Sequence, residues 1–173
     1  MPPNNPMILM KTSLGDITIE LDAERAPIST ANFLRYVREG FYNDTIFHRV
    51  IANFMIQGGG MTADMLPKPP HESIRNEANN GLKNQRGTIA MARTQDINSA
   101  TCQFYINLVD NPYLDHQAET AAGYGYAVFG RVVSGMETVD TIGKVKTGRS
   151  GYHENVPLEP VVIEKGEIDE QAG

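Results

Sequence analysis

The segment Ile17-Thr18-Ile19-Glu20-Leu21-Asp22 alternates apolar and polar residues without a break. Successive side chains on a strand point to opposite faces. This pattern therefore puts Ile17, Ile19 and Leu21 on one buried face and commits the segment to a sheet laid against a core. The preceding run, Met7–Thr12, is rich in β-formers, and Ser13-Leu14-Gly15-Asp16 supplies a turn, so a hairpin opens the fold. Further apolar runs at 45–50, 54–57, 88–92, 103–108, 127–132 and 161–164 predict more short strands, with Ala52-Asn53 separating the first two. Two segments carry helical spacing. One begins at Pro27, repeats Phe33, Leu34 and Val37, and stops at Gly40. The other pairs Ser134 with Glu137 as a capping box ahead of Met136, Val139 and Ile142. Residues 67–82, with three prolines and Asn79-Asn80-Gly81, show no period and read as a long surface loop of the kind that is often functional. Many short strands and two helices predict a β-dominated chain, an antiparallel barrel covered by helices.

A chain of 173 residues suits one domain with a core that needs no staple. No linker or repeat divides it. Residues 1–6 are expected to be a disordered leader, 7–168 the folded domain and 169–173 a frayed polar tail. The only cysteine, Cys102, has no disulfide partner and fits a small, half-buried hydrophobe. The start carries neither a basic region nor an apolar run long enough for a signal peptide or membrane span, so a cytoplasmic location is the default expectation. A net charge of -6 argues against nucleic acid as a partner, because phosphate neutralisation needs a clustered basic face. The nearest cluster, Lys144, Lys146 and Arg149, is explained by an exposed, solvated loop.

Most catalytic chemistries lack their equipment here. His48, His71, His116 and His153 form neither HExxH nor HxH, so no metal site is expected, and no GxSxG elbow is present. Gly58-Gly59-Gly60 lacks a following GK[ST] and reads as a strand end where the backbone turns tightly. What remains is a reaction that needs no nucleophile and no cofactor. One stretch, Phe47-His48-Arg49-Val50-Ile51-Ala52-Asn53-Phe54-Met55-Ile56-Gln57-Gly58-Gly59, sets polar residues among apolar ones. On alternating strands Arg49 and Gln57 share a side with aromatic and thioether neighbours. On spacing alone, the favoured readings are Arg49 as a surface charge and Phe54 and Met55 as ordinary core.

Three blocks, in order, resemble one family. Phe47-His48-Arg49-Val50-Ile51 with Phe54-Met55-Ile56-Gln57-Gly58-Gly59 looks like the signature of the cyclophilin family. Gly87-Thr88-Ile89-Ala90-Met91-Ala92-Arg93 with Ser99-Ala100-Thr101-Cys102-Gln103-Phe104-Tyr105-Ile106-Asn107, and then Tyr126-Ala127-Val128-Phe129-Gly130-Arg131-Val132 with Gly135-Met136, resemble its other site segments. The likeness runs over about 7–168. Met91-Ala92-Arg93-Thr94 and Gly148-Arg149-Ser150-Gly151 look most like the bacterial cytosolic branch.

The resemblance implies an eight-stranded antiparallel β-barrel capped by two α-helices, with its site in a groove on the outside. It implies peptidyl-prolyl cis-trans isomerase activity on Pro-containing peptides and folding proteins, by a monomer without a cofactor. Carried over by position, Arg49 is the catalytic residue, and Phe54, Met55, Tyr105 and Leu114 form the proline pocket. Gln57, Ala92, Arg93 and Gln103 hold the substrate backbone, and Tyr113 and Tyr126 edge the groove. His48, next to Arg49, is expected to face away and make structural hydrogen bonds. Tyr105 stands where a phenylalanine is usual, its hydroxyl either trimming substrate fit or meeting solvent. Tyr113 replaces a tryptophan that hydrogen-bonds cyclosporin, which implies weak cyclosporin binding. Two other classes compete: a cyclophilin-fold chaperone that grips Pro-containing segments without turnover, and a small-ligand barrel, which needs a hollow interior.

Overall fold

A computed structural model describes residues 5–169. Eleven strands and two α-helices follow in the order β1 (Met7–Thr12), β2 (Gly15–Leu21), α1 (Pro27–Arg38), β3 (Thr45–Ile46), β4 (Arg49–Ile51), β5 (Met55–Gly58), β6 (Thr88–Met91), β7 (Phe104–Asn107), β8 (Val128–Ser134), α2 (Met136–Ile142), β9 (Thr147–Ser150), β10 (His153–Pro157) and β11 (Val162–Ile168). Nine strands form one antiparallel sheet in the order β3-β11-β1-β2-β8-β6-β7-β5-β4, and β9 and β10 form a separate hairpin. The sheet's two ends, β3 and β4, are separated in sequence only by Phe47-His48. A sheet whose opposite edges are two residues apart must roll up, so connectivity alone forces the barrel. The barrel and its two helices match expectation, while the large sheet has nine strands rather than eight.

The period-two pattern decides what fills it. Ile8 and Met10 of β1, Ile17, Ile19 and Leu21 of β2, Ile56, Ile89, Phe104, Ile106, Phe129 and Ile163 all turn inward and are fully buried. Phe33 of α1 closes one end, its ring centroid 5.0 Å from Tyr42, 5.4 Å from Phe104 and 5.3 Å from Phe129. Val139 and Ile142 bury the inner face of α2. The interior is packed solid, which removes the small-ligand barrel from consideration.

Local expectations were met unevenly. The hairpin turn is tighter than expected, because Thr12 pairs Gly15 across only Ser13-Leu14. The capping box does not form. Ser134 belongs to β8, and α2 is preceded by Gly135 at φ 87° with no side-chain cap. A Cβ on Gly135 would lie 2.2 Å from the Asp16 carbonyl oxygen, so glycine is obligatory there. The α1 N-terminus has no local cap either. The Glu77 carboxylate, from the long loop, accepts from the Ile28 and Ser29 amides at 3.2 and 2.7 Å and from the Ser29 hydroxyl at 2.8 Å. Of the basic cluster expected to sit on a solvated loop, Arg149 lies instead in strand β9. Gly59, at φ 91°, confirms the tight backbone turn read into the glycine triplet.

Residues 1–4 of the expected leader and 170–173 of the expected tail lie outside the described residues. The Pro6 carbonyl accepts from the Leu21 amide, and the Asp169 amide donates to the Met7 carbonyl. Among the described residues no helix is long and apolar enough to cross a membrane.

Candidate active site

The strands that turn Val50, Ile56, Ile106 and Ile89 inward turn their neighbours outward. Cross-strand pairing then aligns those neighbours: Arg49 (β4) opposite Gln57 (β5), Gln57 opposite Tyr105 (β7), Tyr105 opposite Ala90 (β6), and Ala90 opposite Val128 (β8). A row runs over the barrel's outer surface from a cation through an amide to an aromatic and then to small apolar side chains. The β4–β5 turn places Phe54 beside this row. Asn53 takes φ 61°, a left-handed conformation that asparagine tolerates.

Arg49, Phe54, Met55, Gln57, Ala92, Arg93, Tyr105, Leu114 and Tyr126 line one groove of about 430 Å³, open to solvent. These are nine of the eleven expected site residues. The other two touch it. Gln103 accepts a hydrogen bond from Gln57 Nε2 at 3.0 Å, and Gly60 makes room for it, since a Cβ there would meet the Gln103 side chain at 2.6 Å. Tyr113, 63% exposed, stacks on Phe54 with centroids 6.0 Å apart. At the head of the row an Arg49 guanidinium N–H donates to Gln57 Oε1 at 3.3 Å, and no other hydrogen bond or ion pair holds that guanidinium among the described residues. Met55, Ala90, Tyr105 and Val128 form the buried apolar floor, with Phe54, Leu114 and Tyr126 packed around it.

Arg93 is differently occupied. Its guanidinium donates to the carbonyls of Gly125 (2.9 Å), Thr94 (2.8 Å) and Ala121 (3.1 Å) and lies 4.9 Å over the Tyr126 ring. The side chain thus braces the loop that presents Tyr126. The Tyr105 hydroxyl reaches neither solvent nor groove. It donates inward to Asn84 Oδ1 at 2.7 Å, and burial pushes its pKa well above the usual tyrosine range, so it stays neutral.

His48 is buried, with the His153 ring 6.4 Å away. Burial first, then His153 and Arg49, lower its pKa to about 4. The expected hydrogen bond is missing at Nδ1, which has no partner. A neutral imidazole packed as a near-apolar ring meets the cost of that site better than a charged one. Sequence reasoning did not single out the polar residues behind the groove, Asn84, Asn111 and Asp115. They lie in aperiodic segments and are joined only by tertiary contact.

The comparisons agree with this geometry. Residues 7–168 match the family model described as cyclophilin type peptidyl-prolyl cis-trans isomerase/CLD. Peptidyl-prolyl cis-trans isomerase B of Escherichia coli (strain K12) is 56% identical over 95% of this chain and 100% of its own length. Peptidyl-prolyl cis-trans isomerase cyp18 of Streptomyces antibioticus is 55% identical over 92% of this chain and 96% of its own. Among solved structures, a cyclophilin type isomerase of Cryptosporidium parvum, determined in the presence of the dipeptide Ala-Pro, superposes with a TM-score of 0.76. It shares 27% identity over 95% of this chain and 99% of that one. With a rolled antiparallel sheet, two helices and an external groove, and a family match over 7–168, the chain belongs to the cyclophilin-type peptidyl-prolyl cis-trans isomerases.

Proposed function

We propose that this chain, a peptidyl-prolyl cis-trans isomerase, performs X-Pro rotation in the external groove with Arg49 as its catalytic residue. The observation that carries this reading is the aligned row from Arg49 through Gln57 to Tyr105, which sets a lightly engaged cation beside an apolar floor.

An X-Pro bond resists rotation because conjugation gives its C–N bond partial double-bond character, with a barrier of ~18–20 kcal/mol for peptide bonds. Uncatalysed exchange takes roughly tens to hundreds of seconds. In the twisted state the prolyl nitrogen loses conjugation and gains a basic lone pair. A guanidinium N–H of Arg49 directed at that nitrogen stabilises the twisted state and leaves the planar amide nearly untouched, which is selective binding of the transition state. Arginine suits the task because it remains charged and presents fixed donors. Phe54, Met55, Tyr105 and Leu114 grip the proline ring, and the neutral Tyr105 hydroxyl adds no competing charge. Gln57, Gln103 and the main chain at Ala92 and Arg93 hold the peptide on the other side, so rotation is confined to one bond. No cofactor enters this chemistry.

The protein acts as a monomer in the cytoplasm on Pro-containing segments of folding chains. At the rim Tyr113 lacks an indole N–H, and its hydroxyl donates to Asn111 Oδ1 at 3.2 Å, so cyclosporin binds weakly. The deciding assay is cis-to-trans isomerisation of a short X-Pro peptide by the intact protein and by Arg49→Ala, both shown to be folded. Catalysis that collapses in the variant supports the reading. Catalysis that survives overturns the role of Arg49. A folded intact protein without turnover leaves the chaperone that only grips Pro-containing segments.

A further inference from the structure

Behind the groove lies a buried polar cluster that bonds to several of the pocket's walls. Its centre is Asn84, 1% exposed in the segment before β6. The side-chain oxygen accepts from the Tyr105 hydroxyl at 2.7 Å and from Asn107 Nδ2 at 3.1 Å. The side-chain nitrogen donates to Asp115 Oδ1 at 3.2 Å and to the Tyr126 carbonyl at 3.5 Å. The main-chain amide donates to the same Asp115 oxygen at 2.6 Å, and the main-chain carbonyl accepts from the Asn111 amide at 2.8 Å. Every hydrogen-bonding group of the residue is engaged, and the amide has one orientation only. Turned over, its oxygen would face the Asp115 carboxylate and its nitrogen would face the Asn107 amide donor.

Each of these bonds ends on or beside a pocket wall. Tyr105 is the floor, Tyr126 is a wall, and Asp115 follows Leu114, another wall. Asn111 extends the cluster, donating from Nδ2 to the Phe54 carbonyl at 3.0 Å and to Asn107 Oδ1 at 2.8 Å while accepting from the Tyr113 hydroxyl. Five residues of the pocket and rim, on four separate segments, are therefore held in register by one buried amide cluster. Apolar contacts alone do not fix such a register, because they are non-directional. A fully satisfied polar network does.

We infer that Asn84 is the positioning residue of the proline pocket, acting with Asp115 to hold Tyr105, Leu114 and Tyr126 at the spacing a proline ring needs. The inference rests on the groove being the isomerase site. It leaves Arg49 untouched, since nothing in the cluster bonds to it. Losing Asn84 should loosen the grip on proline rather than remove the group that acts on the prolyl nitrogen.

The test measures kcat and KM for an X-Pro peptide on the intact protein, Asn84→Ala, Asp115→Ala and Asp115→Asn, at a temperature where circular dichroism shows each folded. Asn84→Ala should raise KM roughly tenfold while kcat moves far less, as expected for a pocket displaced by a fraction of an ångström. Asp115→Ala should raise KM in the same sense, and Asp115→Asn, which keeps an acceptor oxygen, should restore it. Unchanged KM in Asn84→Ala and Asp115→Ala overturns the inference, as does an Asp115→Asn variant no better than Asp115→Ala. If Asn84→Ala does not fold, the Asp115 pair decides by the same criteria. An intact protein without turnover would sink the isomerase reading, whereas normal turnover with unmoved KM would sink only this inference.

Discussion

Met55, Ile56 and Gln57 are consecutive on β5, yet they belong to two different parts of the molecule. Ile56 is fully buried in the barrel among its neighbours' aliphatic and aromatic side chains. Met55 and Gln57 face the opposite way and line the groove. The same division runs along β4 and β7, where Val50, Phe104 and Ile106 point in while Arg49 and Tyr105 point out. A strand's two-residue period lets one sheet be core on one face and site on the other, so stability and chemistry are separated by a single residue. The inner face needs only apolar volume. The outer face needs particular atoms at particular places, and it obtains them by cross-strand alignment and by the polar cluster behind it.

Substitutions can break or sharpen this comparison. The largest expected effect is on the inner face. Ile56→Ala should cost about 2–5 kcal/mol of stability in denaturant melts while keeping near-parental kcat/KM per folded molecule in the cold. A variant that stays stable, or loses activity while folded, breaks the division. On the outer face Arg49→Ala should lower kcat/KM by roughly 10²–10³-fold, the loss typical of a preorganised donor to developing charge, with stability shifted by no more than about 0.5 kcal/mol. Thermal melts and the isomerisation assay on the same preparation read both.

His48 joins the two regions, being buried beside Arg49. Its imidazole titrates near 6.5 when unfolded and at about 4 when folded, so the unfolded chain takes up the proton first. The contribution is fully present above about pH 6.5 and is lost as pH falls towards 4, amounting to about 3 kcal/mol. Equilibrium unfolding from pH 7 to 4 should show that slope, and His48→Gln should flatten it. An unchanged slope would mean that His48 charges freely in the folded protein. The smallest effect on the fold belongs to the rim. Tyr113→Trp should tighten cyclosporin binding and leave isomerase turnover within about threefold, as surface substitutions usually do. Nanomolar inhibition of the unaltered protein would contradict the weakness assigned to Tyr113.

The fold was legible wherever one residue's environment repeats along the chain. The alternation of Ile17, Ile19 and Leu21 and the spacing of Phe33, Leu34 and Val37 each report a face, and both faces are buried as expected. Positions set by a single distant contact were not legible. Ser134 and Glu137 satisfy the letter of a capping box, but a Cβ at position 135 would lie 2.2 Å from the Asp16 carbonyl oxygen, and that close approach sets the backbone. Glu77 caps a helix that begins 50 residues earlier, and Asn84 meets Tyr105 across 21 positions. The β9–β10 hairpin escaped notice because Thr147-Gly148-Arg149-Ser150 carries no apolar alternation, and none of the four is fully buried. The outer-face alignment of Arg49 and Gln57 followed from strand period, whereas the assignment of a proline pocket rested only on family resemblance. Its walls, Leu114 and Tyr126, come from separate loops.

Strand β11 lies between β1 and β3, and it is the last strand among the described residues. Until it has been made, β1 lacks one neighbour and β3 lacks its only strand partner in the sheet, so the edge at 45–46 cannot close the barrel. Arg49 begins the strand that follows that edge. A nascent chain therefore carries all of the groove's residues long before it can hold them in place. The isomerase therefore becomes competent only once β11 has been made and paired.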